Sequence, residues 1–362
     1  MKLQITQENL NKALNNVARV ASSRNTLPIL SNILIKTVDN RVCIAATNLN
    51  IAITHYIGSK VSEAGAITVP ARLMQDFVSS LSPGVINIVV DETKLHIKTD
   101  SFNSTINGIP ADDYPVMPQI NNGKTWNVPS GVLKKALSQV VVAASNDETR
   151  PVLTGVYLHT YNNNLYVVAT DSYRLAEKKV LPIKEDVSLL IPVTAIQDLL
   201  RIIGDDDQPV SVTHDDQQVL FNVGDIELIT RLIDGAYPDY RKLIPASFKT
   251  TAYINKNELQ NITKVSSLFA RESAGSVTIN VDESEKEISI QSIASQLGEN
   301  TAKAKAEVQG EGSITLNSRY ILDALNVIPD SKVTVSFNSK LEPCVIKGDE
   351  KDYTHIIMPL KS

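Results

Sequence analysis

The chain has 362 residues, of which 43% are hydrophobic and 21% charged, and its formal net charge is −5. No apolar run approaches the ~18–20 residues that a membrane-spanning helix needs, and the N-terminus carries no apolar signal segment, so we expect a cytoplasmic protein. Two cysteines far apart in sequence, Cys43 and Cys344, exclude a disulfide scaffold. The acidic balance by itself argues against a protein that grips nucleic acid by neutralising many phosphates.

The first predicted element is a helix over residues 7–21, and its pattern occurs three times. Apolar residues at helical spacing follow Leu10, Leu133 and Leu259, which predicts matching helices over 129–144 and 256–270. These leucines are 123 and 126 residues apart, which is the length of a domain and not of a solenoid unit. Thr6 and Asn255 are suitable N-caps for the first and third copies.

A second helix is predicted in each repeat, over 70–81, 193–203 and 318–328. Between the helices the chain alternates short apolar runs with Asn- and Asp-rich turns, which is typical of β-hairpins. Residues 26–50 align with 149–173 without a gap, and Tyr114-Pro115 aligns with Tyr237-Pro238 at the same offset of 123. The sequence therefore predicts three α+β domains, each with two helices packed on antiparallel sheets, over 1–121, 122–248 and 249–362.

The predicted helices carry a summed charge of +4, which leaves −9 for the rest of the chain. Their polar faces are rich in Asn, Gln and Ser, for example Asn15, Gln75 and Gln260. One interpretation is an ordinary solvated face with basic residues favoured by helix propensity. The other is a mildly positive helical surface that tolerates a polyanion without clamping it.

Two acidic segments, 205–207 and 214–216, could form a carboxylate metal site of a metal-dependent hydrolase. The repeat favours a hairpin turn for the second segment, because the equivalent position in the first repeat is the polar turn Asp91–Lys94. No histidine pair has ligand spacing, and no phosphate loop or nucleophile motif is present. We therefore predict a non-catalytic protein without metal or cofactor, with the hydrolase as the alternative.

Local departures from the repeat are the remaining signal. Residues 170–175 replace 47–52 with different chemistry, and 237–243 extend the Tyr-Pro motif. The C-terminus is apolar over 356–360, where a terminus usually frays into water. The tail is either the last strand of the third domain or, with the neighbouring Pro and Tyr residues, part of a peptide groove.

These segments also carry a family resemblance. The chain resembles the bacterial β sliding clamps, the processivity subunits of DNA polymerase III, in stretches spread over its whole length: 24–30, 68–72, 168–176, 232–241 and 356–359. The resemblance implies a head-to-tail homodimer that closes into a ring of six domains. Its helices would line the hole, and duplex DNA would be held by topology, without sequence specificity.

The resemblance also implies which residues act. Together with the basic helix residues, it predicts DNA contacts at Arg24, Arg72, Arg150, Lys12, Lys134 and Lys135. The central-domain DNA loop corresponds to 147–152, where Asp147 and Pro151-Val152 depart from the glutamine and tyrosines of some members. Candidates for the dimer seam are Ile106 and Leu268.

The predicted peptide groove would bind the replicative polymerase, the clamp loader, translesion polymerases and mismatch-repair proteins through short motifs that carry a glutamine and apolar anchors. Its residues are Leu153, Thr170, Ser172, Tyr173, Arg174, Leu175, Pro238, Lys242, Leu243, Ile356, Ile357, Met358, Pro359 and Leu360. A monomeric peptide-binding scaffold that never touches DNA is the second alternative.

Overall fold

A computed structural model describes residues 1–21, 27–204, 208–294 and 298–360. Its α-helices are α1 Gln7–Val17, α2 Ala71–Ser80, α3 Ser130–Val140, α4 Val193–Ile202, α5 Lys256–Phe269 and α6 Ser318–Val327. They are the predicted helices, but each ends one to four residues before its predicted bound. In α3 the physical reason is the β-branched run Val140–Val142, which disfavours the α-helix, and the chain continues as a 3₁₀ turn over Val141–Ala143.

The predicted N-caps are confirmed. The side chain of Thr6 accepts a hydrogen bond from the Asn9 amide, and that of Asn255 accepts from the amides of Asn257 and Glu258. Each cap satisfies amide groups that have no partner within the helix.

Antiparallel strands make up most of the remaining structure. In the first part of the chain they are β1 Lys2–Thr6, β2 Asn32–Val38, β3 Arg41–Thr47, β4 Ile51–Gly58, β5 Lys60–Glu63, β6 Ala66–Pro70, β7 Val85–Asp91, β8 Lys94–Lys98, β9 Asn103–Asn107, β10 Lys124–Pro129, β11 Gly155–Tyr161, β12 Asn164–Thr170 and β13 Arg174–Pro182. In the second part they are β14 Ser188–Pro192, β15 Pro209–His214, β16 Gln218–Val223, β17 Ile226–Arg231, β18 Thr250–Asn255, β19 Ser276–Asp282, β20 Glu287–Ala294, β21 Gly298–Lys305, β22 Glu307–Gln309, β23 Gly312–Asn317, β24 Lys332–Phe337, β25 Cys344–Lys347 and β26 Tyr353–Ile357.

The chain divides into two compact units. Unit one comprises Met1–Gly131 and Thr194–Leu232, and unit two comprises Val132–Val193 and Ile233–Ser362. The second sequence repeat thus contributes to both units, because its strands are hydrogen-bonded to strands of the repeats on either side. The three domain boundaries read from the sequence stay a prediction.

Unit one contains a five-stranded sheet in the order β5-β1-β7-β8-β9 and an eight-stranded sheet in the order β10-β15-β16-β17-β4-β3-β2-β6. Strand β17 of the second repeat pairs with β4 of the first, and Leu228 lies opposite Ile53 with both side chains fully buried. The Gln75 side-chain amide of α2 donates to Asn15 of α1 at 2.8 Å. The polar helix face noted in the sequence is therefore bonded across the helix pair.

Unit two repeats this plan. Its nine-stranded sheet has the order β14-β11-β12-β13-β26-β25-β24-β18-β22, and its four-stranded sheet has the order β21-β20-β19-β23. Strand β26 pairs with β13, which places Ile356 opposite Leu175. The C-terminal tail is therefore a strand through Ile357, as the first of the two interpretations predicted. Gln260 of α5 donates to Asn326 of α6, which corresponds to the amide pair in unit one.

The second acidic segment is a turn between paired strands, as predicted. Strand β15 ends at His214 and β16 begins at Gln218, and the Asp215 carboxylate accepts from the amides of Gln217 and Gln218 at 2.8 and 2.7 Å. His214 itself is a buried strand residue and not part of the turn. Residues 205–207 lie outside the described residues.

Buried histidines should make the protein acid-sensitive. Burial lowers the pKa of His159 to about 4 and that of His355 to about 3. Below pH ~6.5 the unfolded chain binds protons that the folded chain excludes, so stability falls as the pH is lowered from that value towards the folded pKa values. Each such histidine should cost about 2 kcal/mol at pH ~5 relative to pH ~8.

Urea unfolding at the two pH values measures this loss. His355→Leu should reduce the pH dependence by the share of one histidine, whatever it does to stability at pH ~8. An unchanged pH dependence in the variant would contradict the assignment.

Candidate functional site

The predicted peptide groove maps to an apolar face of the nine-stranded sheet of unit two. Its floor, called here the apolar cluster, consists of buried side chains from four strands and one loop: Val168, Leu175, Tyr240, Val345 and Ile356. The strands β12, β13, β26 and β25 are consecutive in the sheet, so these residues share one face. Partly buried side chains pack around the cluster: Tyr157, Tyr237, Ile244, Phe248 and Met358.

The groove rim holds large exposed side chains. Tyr173 is 60% exposed and Leu243 is 45% exposed. The Met358 amide donates to the Tyr173 carbonyl oxygen at 2.8 Å, which ties the end of the chain to the loop between β12 and β13. Exposed apolar residues beside a buried apolar floor are what a short peptide with apolar anchors requires.

The loop that departs from the repeat keeps its shape and changes its chemistry. In unit two the Asp171 carboxylate accepts from the amides of Tyr173 and Arg174, each at 2.9 Å. In unit one Asn48 makes the same turn with the amides of Asn50 and Ile51. The substitution by Tyr173 and Arg174 therefore adds an exposed aromatic ring and a guanidinium without altering the turn.

Arg174 is held by ion pairs. Its guanidinium binds the carboxylates of Asp171 and Asp323 and lies 4.4 Å from the centre of the Tyr320 ring. The side chain is only 10% exposed. Arg174 thus fixes the groove wall, and little of its charge is presented to solvent.

A polar network holds Tyr240 in the floor. Its hydroxyl donates to the Glu177 carboxylate and lies 2.8 Å from Nε2 of His159, which can donate to it. Burial, followed by the nearby Glu177 charge, raises the pKa of Tyr240. Arg241 lies over the rings of Tyr161 and Tyr166, at 4.0 and 4.4 Å from their centres.

The structure brings most of the predicted groove residues together. Leu175 and Ile356 belong to the cluster, and Met358 packs on it. The exposed rim and loop positions include Ser172, Pro238 and Lys242, and the Lys242 ammonium pairs with Asp239 at 2.7 Å. Thr170 is buried beneath the loop, where its hydroxyl donates to the Arg174 carbonyl. Pro359 and Leu360 follow β26 and are half-buried.

Ile357 does not belong to this face. It is fully buried, and because neighbouring strand residues point to opposite sides of a sheet, its side chain lies on the other side from Ile356. Sequence reasoning also missed Tyr240, Ile244, Phe248 and Val345. Tyr240 and Ile244 adjoin a motif that departs from the repeat, but Val345 becomes part of the floor only through its pairing with Ile356.

A second pocket, of about 310 Å³, adjoins the loop on the side of Arg150. Its lining includes Leu153, Tyr173 and Arg319, and the Arg150 guanidinium donates to the Ser172 hydroxyl at 3.4 Å. The predicted DNA contact Arg150 is therefore a neighbour of the groove loop.

The other predicted DNA contacts differ in their surroundings. The Arg72 side chain is 95% exposed on α2, with its carboxylate neighbour Asp76 at 3.9 Å, and Lys12 is exposed on α1. Lys135 of α3 pairs with Glu350 at 3.1 Å, and the buried Lys178 binds the same carboxylate. Lys134 is also on α3. Arg24 lies outside the described residues.

Arg72 and Lys135 should therefore contribute unequally to DNA affinity. Arg72→Gln should reduce the slope of log affinity against log salt by about 1, because the predicted phosphate contact is lost. Lys135→Gln should change it less, because Glu350 already offsets that charge. Fluorescence anisotropy with a linear duplex over a range of salt concentrations measures both slopes, and equal changes would count against this difference.

The two seam candidates lie near open sheet edges. Ile106 is on β9, at the edge of the five-stranded sheet, and is buried within its own unit. Leu268 is 51% exposed on α5. The Asn300 side chain of β21 donates to Ser266 of α5 at 2.9 Å, so the end of this helix lies beside the edge strand of the four-stranded sheet.

Metal-ligand clusters and membrane-spanning helices are the features that would point to other functions. Over 1–21, 27–204, 208–294 and 298–360, no group of three or more His, Cys, Asp or Glu side chains is arranged to hold a metal ion. In the same ranges, no helix is long and apolar enough to cross a membrane.

Comparisons with known proteins cover the whole chain. Family models of the DNA polymerase III beta subunit match in tandem: the N-terminal domain at residues 1–118, the central domain at 127–239 and the C-terminal domain at 241–361. The beta sliding clamp of Bacillus subtilis is 32% identical over 377 residues, and that of Staphylococcus aureus (strain Mu50) is 30% identical over 379, with full coverage of both chains in each case.

Solved structures agree with these matches. A crystal structure of the sliding clamp of Pseudomonas aeruginosa bound to griselimycin aligns with a TM-score of 0.95 at 25% identity, with 100% of both chains covered. The DNA polymerase sliding clamp of Bacillus subtilis aligns with a TM-score of 0.94 at 30% identity, with 100% of this chain and 99% of that chain covered.

Proposed function

Because the chain belongs to the DNA polymerase III beta subunit family, the beta sliding clamps, we propose that two copies of it close head to tail into a ring around duplex DNA. The family acts as a non-catalytic processivity factor, which agrees with the absence of a nucleophile motif in the sequence. The observation that carries the proposal is the tandem match of all three family domains over the full chain. We also propose a cytoplasmic location, which is consistent with a DNA replication clamp.

The repeat supports ring closure and supplies a register for the seam. Strand β17 pairs with β4, and β26 pairs with β13, at corresponding positions. Strand β9 holds in the first repeat the position that β17 holds in the second and β26 in the third. Strand β21 holds in the third repeat the position that β4 holds in the first and β13 in the second. Both are edge strands in the chain described here. A second copy would complete each sheet by pairing β9 with β21.

The register follows from the internal pairs. We apply the register between β17 and β4 to their counterparts, β9 of one copy and β21 of the other. Ser104 then lies opposite Thr301, and Ile106 lies opposite Glu299. Thr105 then faces Asn300, whose side chain donates to Ser266 of α5, two residues before Leu268. An exposed edge strand can pair with other chains and cause aggregation. Pairing β9 with β21 would cover both edges in a closed ring.

We propose that the groove of unit two tethers the polymerase, the clamp loader, translesion polymerases and mismatch-repair proteins. The apolar cluster, with Tyr173 and Leu243 at its rim, offers apolar pockets to a short extended peptide. DNA would pass along helices that carry Lys12 and Arg72, and the charge on this surface is small enough for the ring to slide.

Retention on DNA of different topology tests the proposal. The protein is loaded onto a nicked circle by a clamp loader and then separated from free protein by gel filtration. We expect it to stay on the circle and to leave when a restriction enzyme linearises the DNA. Equal retention on the circle and on the linear form, or a solution mass of one chain at micromolar concentration, would rule the ring out.

A further inference from the structure

A second open site lies in unit one. A cavity of about 660 Å³ occupies the face of the eight-stranded sheet beneath the segment 111–121. A smaller cavity of about 230 Å³ adjoins it. The two share Val116, Pro118 and Ile229 in their linings and so form one two-lobed groove.

This groove is the repeat counterpart of the apolar cluster. Val168, Leu175 and Tyr240 of the cluster correspond to Ala45, Ala52 and Met117 at the constant offset of 123. Val345 lies opposite Ile356 across the strands, as Leu220 lies opposite Ile229. The counterparts of all five cluster residues line the larger cavity: Ala45, Ala52, Met117, Leu220 and Ile229.

The volume of the larger cavity is explained by the alanines that stand in unit one where unit two has Val168 and Leu175. Two large side chains fill the floor of the groove in unit two, whereas Ala45 and Ala52 leave space above the sheet. The roof is held in place by Tyr114, whose hydroxyl accepts from the Thr47 amide at 3.2 Å and lies 3.3 Å from the Asn32 carbonyl oxygen. A strand face and an anchored segment thus bound the cavity on two sides, and the rest of it is open to solvent.

Two exposed apolar side chains stand at the rim, beside polar residues that include Arg231, and Glu227 places a negative charge in the floor. Val116 is 94% exposed and Leu49 is 51% exposed. Glu227 is half-buried in the larger cavity, and burial raises the pKa of its carboxyl group. Among the residues that the structure describes, no basic side chain forms an ion pair with Glu227. Lys36 and Asp112 also line the cavity, but both are exposed.

We propose that this groove of unit one is a second peptide-binding site, whose ligand is a short extended segment with an apolar anchor and a nearby arginine or lysine. The apolar side chain would occupy the space above Ala45 and Ala52, and the basic side chain would neutralise Glu227. A half-buried carboxylate without a counter-charge favours a cationic group over a neutral one. The site is distinct from the groove of unit two and does not depend on its role.

Selection from a phage-displayed library of random short peptides on the full-length protein tests the proposal. Affinities of the selected peptides are then measured on Glu227→Lys, on Val116→Asp and on Leu243→Asp, which alters only the rim of the other groove. We expect a class of peptides with a basic residue that binds at least about tenfold more weakly to the first two variants and equally well to the third.

Charge reversal supplies the decisive control. Replacing the basic residue of such a peptide by glutamate should weaken binding to the wild type and restore binding to Glu227→Lys. If no peptide is recovered, if every peptide depends on Leu243 and not on Val116, or if the reversed pair shows no recovery, the proposal is overturned. Because Val116 is exposed, Val116→Asp keeps the test valid even if Glu227→Lys does not fold.

Discussion

A protein that carries Ser104→Cys and Thr301→Cys is expected to become a covalently closed ring on mild oxidation. If it is oxidised after loading onto a nicked circle, nearly all of it should remain on the DNA through a denaturing wash that dissociates the unmodified dimer. The reason is the register carried over from the paired strands, which places these two side chains directly opposite each other on neighbouring copies. Directly opposed residues have Cβ atoms ~4.5–5.5 Å apart, close to the span of a disulfide.

The native cysteines should not interfere with this cross-linking experiment. Their thiols, Cys43 and Cys344, are both buried, and burial raises the pKa of Cys43 to about 11, so neither competes for oxidation. Denaturing electrophoresis counts the cross-linked chains, and gel filtration with labelled DNA measures retention.

A shifted pair serves as the control. Ser104→Cys combined with Lys303→Cys places the second thiol two residues along the same strand face, at a diagonal distance of ~7–8 Å. It should cross-link far less. More efficient linkage of the shifted pair would show that the edge strands meet in another register, and linkage of neither pair would show that they do not meet.

Leu243→Asp is expected to abolish most of the binding of a short peptide with a glutamine and two apolar anchors. Leu243 is 45% exposed, and a peptide bound in the proposed groove would cover it. Losing this apolar contact and burying a carboxylate in its place should cost at least about 1.5 kcal/mol, which is roughly tenfold in affinity. Stimulation of polymerase processivity should fall with it.

Leu341→Asp is the matched control. Leu341 is 73% exposed in the loop before β25, so the same substitution is made at an exposed leucine of unit two outside the apolar cluster. It should leave peptide affinity unchanged, and both variants should keep the wild-type solution mass and circular dichroism. Equal loss of binding in the two variants would mean that the effect is electrostatic and not specific to the groove.

Much of the fold could be predicted because it depends on local patterns. The leucines at 10, 133 and 259, the capping residues Thr6 and Asn255, and the turn at Asp215 each specify their own element through spacing or through a side chain that bonds its own backbone. The repeat then supplied the context that favoured a turn over a metal site at 214–216.

The groove was predicted only in part, because its floor is assembled across strands. Leu175 and Val345 are 170 positions apart in sequence, and they come together because each pairs with Ile356 of β26. Ile357 was placed in the groove by its position next to Ile356, but the alternation of a strand puts it on the opposite face. Lys135 has a helical position like that of an exposed cation, and only the fold reveals its pairing with Glu350.

The sequence by itself determined the number of repeats, the helices and their caps, and the family, because each is encoded in residues that are close together or in motifs that keep their order. The tertiary structure decided which side chains share a face, which charges are already paired, and where the repeats differ in volume. Alanines at 45 and 52 are unremarkable in a strand pattern. They leave a cavity only because β4, β3 and β17 lie side by side beneath the segment that Tyr114 anchors. The volume of a cavity depends on all the side chains that surround it and cannot be read from one residue.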